Sequence, residues 1–418
     1  MSQRPLDRRV VVTGVGMACP IGVGREATWE AARAGRSGAG PITRFDASQH
    51  GAQIACEVTG FDPLDFIDRR AARRMDRACH LAVAAARMAM DDAGLVVGDR
   101  GDRIGAMIST GNGGNETYEE QHRIFMERGA DRVSPVAVPM IIANMAAGQV
   151  SMQLGLGGPL ACVMTACASS LHAIGEAWDV ILRGQADVML AGGSEAAITP
   201  FGMGMLDASR AMSHRNDDPQ TASRPFDRDR DGFVLGEAGA VIVLERMDLA
   251  LDRGAPILCE LAGYGATADA HHITEPEPSG AQQARAMQRA MATAGVGPDV
   301  VDHVNAHATS TTVGDVAEVH SIIKAFGAER AAQVAVSATK SMHGHCVGAT
   351  GALEAALTAL AIHDQVVPGT INLHDLDPEC VGVDHVTATR PQRVRAALCS
   401  GFGFGGHNAV VAMTEVTA

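Results

Sequence analysis

The clearest fold signal in the chain is PLACVMTACASSLHAIGEAWDVILRG, which occupies residues 159–184. The apolar residues that recur in it at helical spacing are Leu171, Ile174, Trp178, Ile181 and Leu182. Gly184 follows them, at a position where a helix C-cap favours glycine. The pattern predicts a buried apolar strand that turns through Ala166, Cys167 and Ala168 into a helix. Such a unit is typical of α/β proteins in which helices pack closely on a sheet.

Short β-branched runs alternate with longer helical patterns along the rest of the chain. The runs are RRVVVTG (8–14), ADVMLAGG (186–193), GAVIVLE (239–245), HVNAH (303–307) and AVVAMTE (409–415). This rhythm predicts an α/β fold with helices on both faces of its sheets. Residues 69–94 are predicted to form one amphipathic helix that closes at a glycine.

Two pairs of segments indicate an internal duplication. The segment VVVTGVGMACPIG (10–22) resembles CELAGYGATADAHH (259–272), since each is a strand that runs into Gly-x-Gly. The segments 161–178 and 334–357 each combine an apolar strand, a turn of small residues and a helix. We therefore predict two similar halves, residues 1–255 and residues 256–418.

Composition and charge exclude several classes of protein. The chain has 418 residues, of which 46% are hydrophobic, so it can bury a large core. Its formal net charge of −14 argues against nucleic acid as the main partner, because phosphate binding draws on excess Lys and Arg. No uncharged apolar run is long enough for a membrane span, and the first residues lack the apolar region of a signal peptide. We therefore expect a soluble protein of the cytoplasm without a membrane partner.

The nine cysteines form an odd set without a C-x-x-C pair. Neither a disulfide framework nor a zinc ribbon fits this spacing, so we expect a reducing compartment and predict no metal site.

Cys167 has the strongest indication of chemistry among these cysteines. Its predicted place is a helix N-terminus, where unsatisfied backbone N–H groups and the helix dipole favour a thiolate. We therefore expect a lowered pKa for its thiol, and the same N–H groups can form half of an oxyanion hole. The alternative is a structural cysteine that behaves as a small buried hydrophobe.

Two histidine segments, VNAHATSTTVGD (304–315) and TKSMHGHCVGATGALEA (339–355), offer partners for such a thiol. The candidate residues in them are His307, Thr309 and Thr311, then Lys340, His343 and His345. The threonines alternate along the chain, which suits hydrogen bonding to an extended polar ligand. Histidines in such small-residue settings are candidates for polarising a second substrate, although most of the 16 histidines are expected to be structural or exposed.

The C-terminal segment CSGFGFGGHNAVV (399–411) contains a literal G-x-G-x-x-G. A dinucleotide site needs a helix after the glycines and an acidic residue about 20 positions further on. Only 12 residues follow Gly406, and the Gly-x-Gly after the first strand lacks the third glycine. We therefore reject a nucleotide site at both places and predict a loop whose exposed N–H groups complete an oxyanion hole.

Four motifs occur in the order TACASS (165–170), NAHATST (305–311), TKSMHGH-x-x-GATG (339–351) and GFGFGGHN (401–408). Together they resemble the β-ketoacyl-acyl-carrier-protein synthases, and the elongating synthase-II branch fits best. The resemblance extends over nearly the whole chain. It implies a thiolase-like fold, in which two pseudo-symmetric βαβαβαββ halves form a layered αβαβα arrangement and two chains form a homodimer.

The resemblance also implies an acyltransferase reaction in fatty acid biosynthesis. Cys167 would carry the acyl chain, while His307 and His345 would support decarboxylation of malonyl-acyl-carrier protein. Lys340 would set the electrostatic environment of the histidines. Attack on the acyl thioester would give a 3-oxoacyl-carrier protein that is longer by two carbons. No cofactor is implied other than the phosphopantetheine arm, which the acyl carrier protein delivers as part of the substrate.

Binding roles follow from the same resemblance. The N–H groups of Cys167 and Phe404 would form the oxyanion hole, and Phe404 would gate the second substrate. Thr309 and Thr311 match the hydroxyls that hold the phosphopantetheine arm, while Phe402 belongs to the substrate pocket. The basic residues expected to attract the acidic carrier protein are Arg69, Arg70, Arg73, Arg74, Arg77 and Arg210.

Asn112 stands where an apolar chain-length residue is common in the family, so we expect it to widen or polarise the acyl tunnel. The nearest alternative function is a ketosynthase subunit of a type II polyketide or polyene system, which uses the same residues and pairs with a chain-length factor as a heterodimer. A non-catalytic acyl-binding partner subunit is a further alternative, although it would not need Cys167 together with two histidines and a lysine.

Overall fold

The computed structural model describes residues 4–416. Its strands are β1 Val10–Cys19, β2 Gly22–Val23, β3 Gly40–Pro41, β4 Ile54–Ala55, β5 Ile104–Ser109, β6 Leu160–Ala161, β7 Val188–Glu195, β8 Ala238–Arg246, β9 Cys259–Ala268, β10 Val301–Asn305, β11 Ala335–Ser337, β12 Val366–Val367, β13 Asp384–His385, β14 Arg390–Pro391, β15 Ala396–Gly403 and β16 His407–Thr414. Its helices are α1 Arg25–Arg33, α2 Arg69–Ala72, α3 Arg77–Asp92, α4 Asn115–Arg128, α5 Ala137–Ile141, α6 Met145–Leu154, α7 Ser169–Leu182, α8 Pro200–Ala208, α9 Met247–Asp252, α10 Ala281–Ala294, α11 Gly314–Phe326, α12 Ala328–Ala331, α13 Lys340–His343 and α14 Thr350–Asp364. Two 3₁₀ turns, Ala166–Ala168 and Val347–Ala349, come directly before α7 and α14.

Twelve strands of the described chain form one sheet in the order β13-β11-β10-β15-β16-β9-β1-β8-β7-β5-β6, with β2 beside β1. At its centre, β1 and β9 pair antiparallel through Val11 with Glu260 and Val12 with Cys259. On one side of this pair β5 runs parallel to β7, and β7 runs antiparallel to β8. On the other side β10 and β15, then β15 and β16, repeat those two relations. The two halves of the sheet therefore share one topology.

Two central helices lie between the halves of this sheet. α7 and α14 are buried along most of their length and contact strands of both halves. α3 packs on β1 and β8, whereas α10 packs on β9 and β16. The resulting order is helix, sheet, helix, sheet, helix, which confirms the predicted αβαβα arrangement.

Glycines at corresponding places let a helix approach each half of the sheet closely. A Cβ at Gly16 in β1 would lie 2.0 Å from the carbonyl oxygen of Ala85 in α3. A Cβ at Gly265 in β9 would lie 2.2 Å from the carbonyl oxygen of Ala286 in α10. Because only glycine permits such contacts, both Gly-x-Gly segments serve helix packing. This agrees with the predicted duplication and with the rejection of a nucleotide site at the Gly-x-Gly segment, which lies within β1.

The strand before Cys167 is shorter than predicted. β6 contains only Leu160 and Ala161, which are exposed, and it pairs in parallel with β5 at the edge of the sheet. The prediction of a buried strand is wrong, because residues 162–165 leave the sheet before the chain reaches the turn at Ala166.

Residues 69–94 form two helices, so the prediction of a single helix is also wrong. α2 ends at Ala72 and α3 begins at Arg77. Asp76 is buried between them, where it accepts hydrogen bonds from the N–H of Ala78 and from the backbone and hydroxyl of Thr117. An acidic N-cap inside a helical pattern ends one helix and starts the next.

All nine cysteines are free thiols. Within residues 4–416, no helix is long and apolar enough to cross a membrane. The predicted boundary at residue 255 falls between α9 and β9 and stays a prediction.

Candidate active site

A cavity of about 530 Å³ lies where loops of the two halves meet. The sequence-predicted residues that line it are Asn112, Cys167, Arg210, His307, Thr309, Thr311, His345, Phe402 and Phe404. Lys340 is buried and is not part of this lining. Within the described residues, no group of three His, Cys, Asp or Glu side chains has an arrangement that could hold a metal ion.

Cys167 lies in a tight turn before α7. Ala166 has a left-handed φ of 49°, which turns the chain sharply. The Oγ of Ser169 accepts a hydrogen bond from the N–H of Thr165 at 2.9 Å and donates one to the carbonyl of Ala166 at 2.6 Å. Because α7 begins at Ser169, the thiol is presented just before a helix N-terminus, as predicted.

The thiol of Cys167 does not have the lowered pKa that its place before a helix led us to expect. Burial raises the pKa of this thiol to about 11, against the opposing effects of Lys340 and of the N–H of Phe404. The expectation is wrong because the loss of hydration around the sulfur outweighs the nearby positive charge. Cys167 is only partly buried and lines the cavity, so its resting form is a protonated, accessible thiol.

Two imidazoles stand together in the cavity. The ring centroids of His307 and His345 are 5.4 Å apart, and the ring planes meet at 86°. Nδ1 of His345 lies 3.1 Å from the hydroxyl of Thr350, whereas its Nε2 is buried without a hydrogen-bond partner in the described part of the chain. Burial, followed by the charge of Lys340, holds the pKa of both histidines well below its usual value. Both rings are therefore neutral at pH 7.

Lys340 has a buried carboxylate as its partner. Its Nζ lies 2.7 Å from each carboxylate oxygen of Glu354 in α14. Burial raises the pKa of Glu354 to about 7, and the ammonium of Lys340 opposes this rise. Sequence reasoning missed Glu354, although an acidic residue inside the apolar run GALEAAL (351–357) is a signal that a buried cation is near.

A second buried carboxylate holds the His307 segment in place. Glu318 in α11 accepts hydrogen bonds from the backbone N–H of His307 at 2.8 Å and of Ala308 at 2.6 Å. Burial raises the pKa of Glu318 to about 8. This residue was also missed; the available signal was an acidic residue between buried positions of the helix that follows His307.

The threonines and the glycine-rich hairpin complete the cavity wall. The hydroxyls of Thr309 and Thr311 lie 3.1 Å apart. Phe404 is at the tip of the hairpin that β15 and β16 form. A Cβ at Gly403 would lie 2.6 Å from the carbonyl oxygen of Thr165, so glycine is required for the hairpin to reach the Cys167 turn. The C-terminal glycines therefore serve close packing at the site.

Asn112 lies beside a third buried carboxylate. Its Nδ2 is 3.5 Å from Oε1 of Glu195, the last residue of β7. Oε2 of Glu195 accepts hydrogen bonds from the N–H of Gly111 at 2.7 Å and of Gly348 at 3.0 Å. Burial raises the pKa of Glu195 to about 7. Nothing in the sequence distinguished this residue from an exposed acid at the end of a strand.

The predicted docking arginines do not all face the solvent. The exposed ones on and after α2 are Arg69, Arg70, Arg73 and Arg74. Arg77 is instead half-buried and makes two hydrogen bonds of 2.7 Å to the buried carboxylate of Glu237. Its predicted place in a docking surface is wrong, because it is the first residue of α3 and points inward. Arg210 is exposed on the cavity wall and has a left-handed φ of 59°.

Models of known protein families match most of the chain. Residues 7–250 match the N-terminal domain of beta-ketoacyl synthase, and residues 258–374 match its C-terminal domain. The chain belongs to the beta-ketoacyl synthase family. Its thiolase-like fold and its class, a condensing enzyme of the acyltransferase type, are the ones expected from the motifs, and both are confirmed.

Several curated proteins resemble this beta-ketoacyl synthase over their full length. The 3-oxoacyl-[acyl-carrier-protein] synthase 2 of Synechocystis sp. (strain ATCC 27184 / PCC 6803 / Kazusa) is 47% identical over 98% of this chain and 98% of that protein. The protein of the same name from Staphylococcus aureus (strain N315) is 47% identical over 99% of each chain. That of Vibrio cholerae serotype O1 is 46% identical over 96% of this chain and 97% of its own.

Solved structures of related enzymes have the same fold. The ishigamide ketosynthase/chain length factor has a TM-score of 0.92 and 36% identity, over 98% of this chain and 100% of that chain. A type II polyketide synthase acyl-carrier protein in complex with its ketosynthase bound to the hexaketide has a TM-score of 0.90, 32% identity and the same coverage. A beta-ketoacyl synthase from Burkholderia phymatum STM815 has a TM-score of 0.91, 33% identity and again the same coverage.

Proposed function

We propose that this chain catalyses the decarboxylating Claisen condensation of malonyl-acyl-carrier protein with an acyl group bound to Cys167, in fatty acid biosynthesis. The observation that carries the proposal is one cavity that joins an accessible thiol to two neutral imidazoles. The names of the curated relatives, which are synthase 2 enzymes of acyl-carrier-protein substrates, support it.

The first half-reaction transfers an acyl group to Cys167. The sulfur attacks the thioester carbonyl of the acyl-carrier protein, and the negative charge that develops on the carbonyl oxygen is stabilised by the N–H groups of Cys167 and Phe404. The carbon–sulfur bond to phosphopantetheine then breaks, and the proton of the Cys167 thiol leaves with the released phosphopantetheine thiol. Because the resting thiol is protonated, this proton has to move during the attack.

The second half-reaction forms the new carbon–carbon bond. The malonyl carboxylate leaves as CO₂, and the electron pair of the broken bond moves into an enolate of the remaining thioester. His307 and His345 donate hydrogen bonds to the enolate oxygen. If the hydroxyl of Thr350 donates to Nδ1 of His345, the proton of the neutral ring is on Nε2, the nitrogen without a protein partner. The enolate carbon attacks the carbonyl carbon of the acyl thioester, and the bond to the sulfur of Cys167 breaks to release the 3-oxoacyl product. The sulfur then takes up a proton from solvent, which restores the resting thiol.

The other proposed roles concern the substrates and their delivery. Thr309 and Thr311 hold the phosphopantetheine arm, and the exposed arginines from Arg69 to Arg74, with Arg210, attract the acidic carrier protein. Lys340 places a positive charge near the enolate, Phe402 belongs to the substrate pocket, and Phe404 gates the second substrate. No cofactor is needed besides the arm that arrives with the substrate. The nine free thiols support the cytoplasm as the compartment.

The proposal is tested by intact-mass spectrometry after incubation with acyl-carrier proteins of several chain lengths. We expect a mass increase of one acyl group in the wild type and none in Cys167→Ala, because no other cysteine lines the cavity. Cys162, which is only partly buried, provides the matched control, and Cys162→Ala should acylate like the wild type. An adduct that persists in Cys167→Ala would contradict the assignment of the nucleophile.

A ketosynthase subunit of a type II polyketide system is the second candidate, and Asn112 is the observation that favours it. A polar amide on the cavity wall suits an acyl chain that carries oxygen atoms. Two of the similar structures are a ketosynthase with a chain length factor and a polyketide ketosynthase. A poly-β-keto primer that acylates Cys167 faster than a saturated primer of equal length would favour this candidate. A protein that accepts no primer would favour a non-catalytic acyl-binding subunit.

We also propose that two chains assemble, as a homodimer or with a chain-length factor. The edge strand β6 is exposed, and large apolar side chains are exposed on the elements around it. These side chains are Met152 of α6 and Leu160 of β6, and α4 exposes Tyr118, Phe125 and Met126 as well. Analytical ultracentrifugation of the purified protein distinguishes a homodimer from a monomer that assembles only with a different subunit.

A further inference from the structure

The loop between β10 and α11 carries the two threonines assigned to the substrate arm, and a distant arginine holds it. Arg230 belongs to the segment RPFDRDRDG (224–232), and its side chain is 2% exposed. Its Nε donates a hydrogen bond to the carbonyl of Thr311 at 2.9 Å. Its Nη2 donates one to the carbonyl of Thr312 at 2.8 Å. One guanidinium therefore fixes two successive carbonyl groups of the loop.

Residues 224–232 also hold Ser310, which precedes Thr311 and Thr312. The N–H of Gly232 donates to the carbonyl of Ser310 at 3.0 Å, and the N–H of Arg224 donates to its hydroxyl at 3.0 Å. Ser310 has a left-handed φ of 69°, which a residue other than glycine keeps only where its surroundings hold it. Three successive carbonyls are thus bound by residues 224–232, and the hydroxyls of Thr309 and Thr311 remain on the cavity wall.

The charge of Arg230 is balanced inside the protein. Its Nη1 lies 2.7 Å from Oδ2 of Asp377 and donates to the carbonyl of Asp227 at 2.9 Å, while Oδ2 of Asp315 lies 3.7 Å from Nε. A guanidinium is a rigid planar fork with five N–H donors, so it serves acceptors in fixed directions. A lysine ammonium is a compact point charge and cannot bind the same set in the same geometry.

We propose that Arg230 is a positioning residue that sets the spacing of the Thr309 and Thr311 hydroxyls for the amide groups of the phosphopantetheine arm. Arg230 does not line the cavity and touches no substrate, so it acts only through the loop. The inference rests on the proposed function, because it assumes that malonyl groups arrive on such an arm. It goes beyond that function in assigning a role to a residue outside the site.

The test compares two malonyl thioesters that differ only in the arm. Malonyl-pantetheine carries the amide groups, whereas the ethyl thioester of malonic acid lacks them. For Arg230→Lys, we expect the KM of malonyl-pantetheine to rise about tenfold with kcat nearly unchanged, which corresponds to one lost hydrogen bond of normal strength. The KM of the ethyl thioester should not change. The rate of CO₂ release gives both constants.

A double-mutant cycle shows whether Arg230 changes the KM of malonyl-pantetheine through the hydroxyl of Thr311. Thr311→Val removes one hydroxyl, and we expect Arg230→Lys to add little to the KM of malonyl-pantetheine in that background. Arg253→Lys is the matched control, because Arg253 also joins a buried carboxylate, that of Glu245, to a backbone carbonyl. It lies away from the loop and should leave both KM values unchanged.

Asp377→Asn keeps the test decisive if Arg230→Lys does not fold. Asp377 is partly exposed, and an asparagine retains the acceptor that bonds to the N–H of Glu379 while weakening the hold on Arg230. We expect a rise in the KM of malonyl-pantetheine of about threefold, since a charged partner of the guanidinium is lost but its carbonyl bonds remain.

Failure of the inference and failure of the proposed function give different results. A wild-type protein that releases no CO₂ from either thioester contradicts the proposed function. An active wild type whose Arg230→Lys and Asp377→Asn variants keep the KM of malonyl-pantetheine overturns the positioning role. Equal rises of KM for both thioesters also overturn it, because they indicate general damage to the cavity.

Discussion

The turns before α7 and α14 occupy corresponding places in the two halves of the molecule, yet only one carries a nucleophile. Each is a 3₁₀ turn whose first residue has a left-handed φ, 49° at Ala166 and 42° at Val347. The central residue is Cys167 in the first turn and Gly348 in the second. The central position of the second turn has no room for a side chain, since a Cβ at Gly348 would lie 2.2 Å from the nitrogen of Gly111.

The backbone N–H groups of the two turns also have different partners. At the second turn, the N–H groups of Gly348 and of the adjacent Gly111, which follows β5, donate to the same carboxylate oxygen of Glu195. At the first turn, the N–H group of Cys167 and that of Phe404 in the hairpin between β15 and β16 face the thiol. In one half, therefore, a carboxyl group of the protein permanently occupies these donors, whereas the other half keeps the same kind of donors for a charge that develops during a reaction. A duplicated turn thus supplies anion-binding geometry, and its neighbours determine whether the use is structural or catalytic.

The largest effect should come from the fully buried carboxyl group, which α14 carries and α7 lacks. Glu354 of α14 corresponds to Ala173 of α7 when the helix starts, Thr350 and Ser169, are aligned. Glu354→Gln leaves the ammonium of Lys340 buried without a carboxylate, so we expect a loss of about 3–5 kcal/mol in the free energy of unfolding. Urea unfolding measures this loss.

Two controls separate the charge from the packing. The exposed pair of Arg36 and Glu30 gives the baseline, because Glu30→Gln should change stability little. The double variant Lys340→Met/Glu354→Leu replaces the ion pair by apolar groups, so it should recover most of the stability without recovering malonyl decarboxylation. A loss below about 1 kcal/mol in Glu354→Gln would contradict a charged Lys340 at this place.

The next effect tests the close contact in the second turn. Gly348→Ala places a methyl group against the backbone of Thr110 and Gly111, which belongs to a loop that Glu195 holds. We expect a loss of about 1–3 kcal/mol in the free energy of unfolding and slower acylation of Cys167, because the loop at Asn112 has to move. Urea unfolding and the acyl-adduct assay give the two values.

Gly204→Ala is the matched control for this substitution. Gly204 lies in α8 with open space around its Cα, so alanine should stabilise the helix by about 0.5–1 kcal/mol. If Gly348→Ala were as stable as Gly204→Ala, the second turn would be able to accept a side chain, and the contrast between the two turns would disappear.

The thiol of the first turn gives a smaller effect, which appears in the pH dependence of its reactivity. Because the pKa of Cys167 is raised to about 11, the thiolate fraction still increases as the pH rises above neutrality. We expect the rate of alkylation by iodoacetamide, followed by peptide mass mapping, to rise about tenfold per pH unit from pH 7 to 9. A plateau below pH 8 would show that the helix dipole outweighs burial.

The pKa values of His307 and His345 are shifted in the opposite direction to that of Cys167. Their pKa values lie well below the usual value of 6.5, so the neutral rings persist when the pH falls through 6.5. The NMR resonances of both imidazoles should therefore shift little between pH 8 and pH 6, while changes of malonyl decarboxylation in this range would come from Glu318 and Glu354, whose pKa values are raised to about 8 and about 7. Imidazole resonances that titrate with a midpoint near pH 6.5 would indicate rings with unshifted pKa values.

The site residues that could be identified from the sequence share one property, and the residues that were missed lack it. Cys167, His307 and His345 stand in local settings of small residues that are visible along the chain. Glu195 was not visible, because its N–H donors come from two segments far away in sequence. The predicted lowering of the pKa of Cys167 was wrong for the same reason, because the burial of its sulfur depends on contacts from several segments of the chain. The alternation of strand and helix patterns predicted the layers of the fold. The ends of the helices depend instead on N-caps such as Asp76, which the pattern did not reveal.

The smallest effect concerns the left-handed residues that open the two turns. Ala166→Gly removes a φ cost of about 1–2 kcal/mol but makes the unfolded chain more flexible by about 0.5–1 kcal/mol, so we expect a small net gain in stability, about 0.5 kcal/mol. Val347→Gly removes the same kind of strain, yet it also removes a buried side chain that packs beside Phe233 and Leu235, worth about 1.5–3 kcal/mol. We therefore expect Val347→Gly to be destabilising in the same urea experiment. Equal changes at Ala166 and Val347 would mean that backbone strain alone governs both turns, and the difference in their side-chain surroundings would have no energetic role.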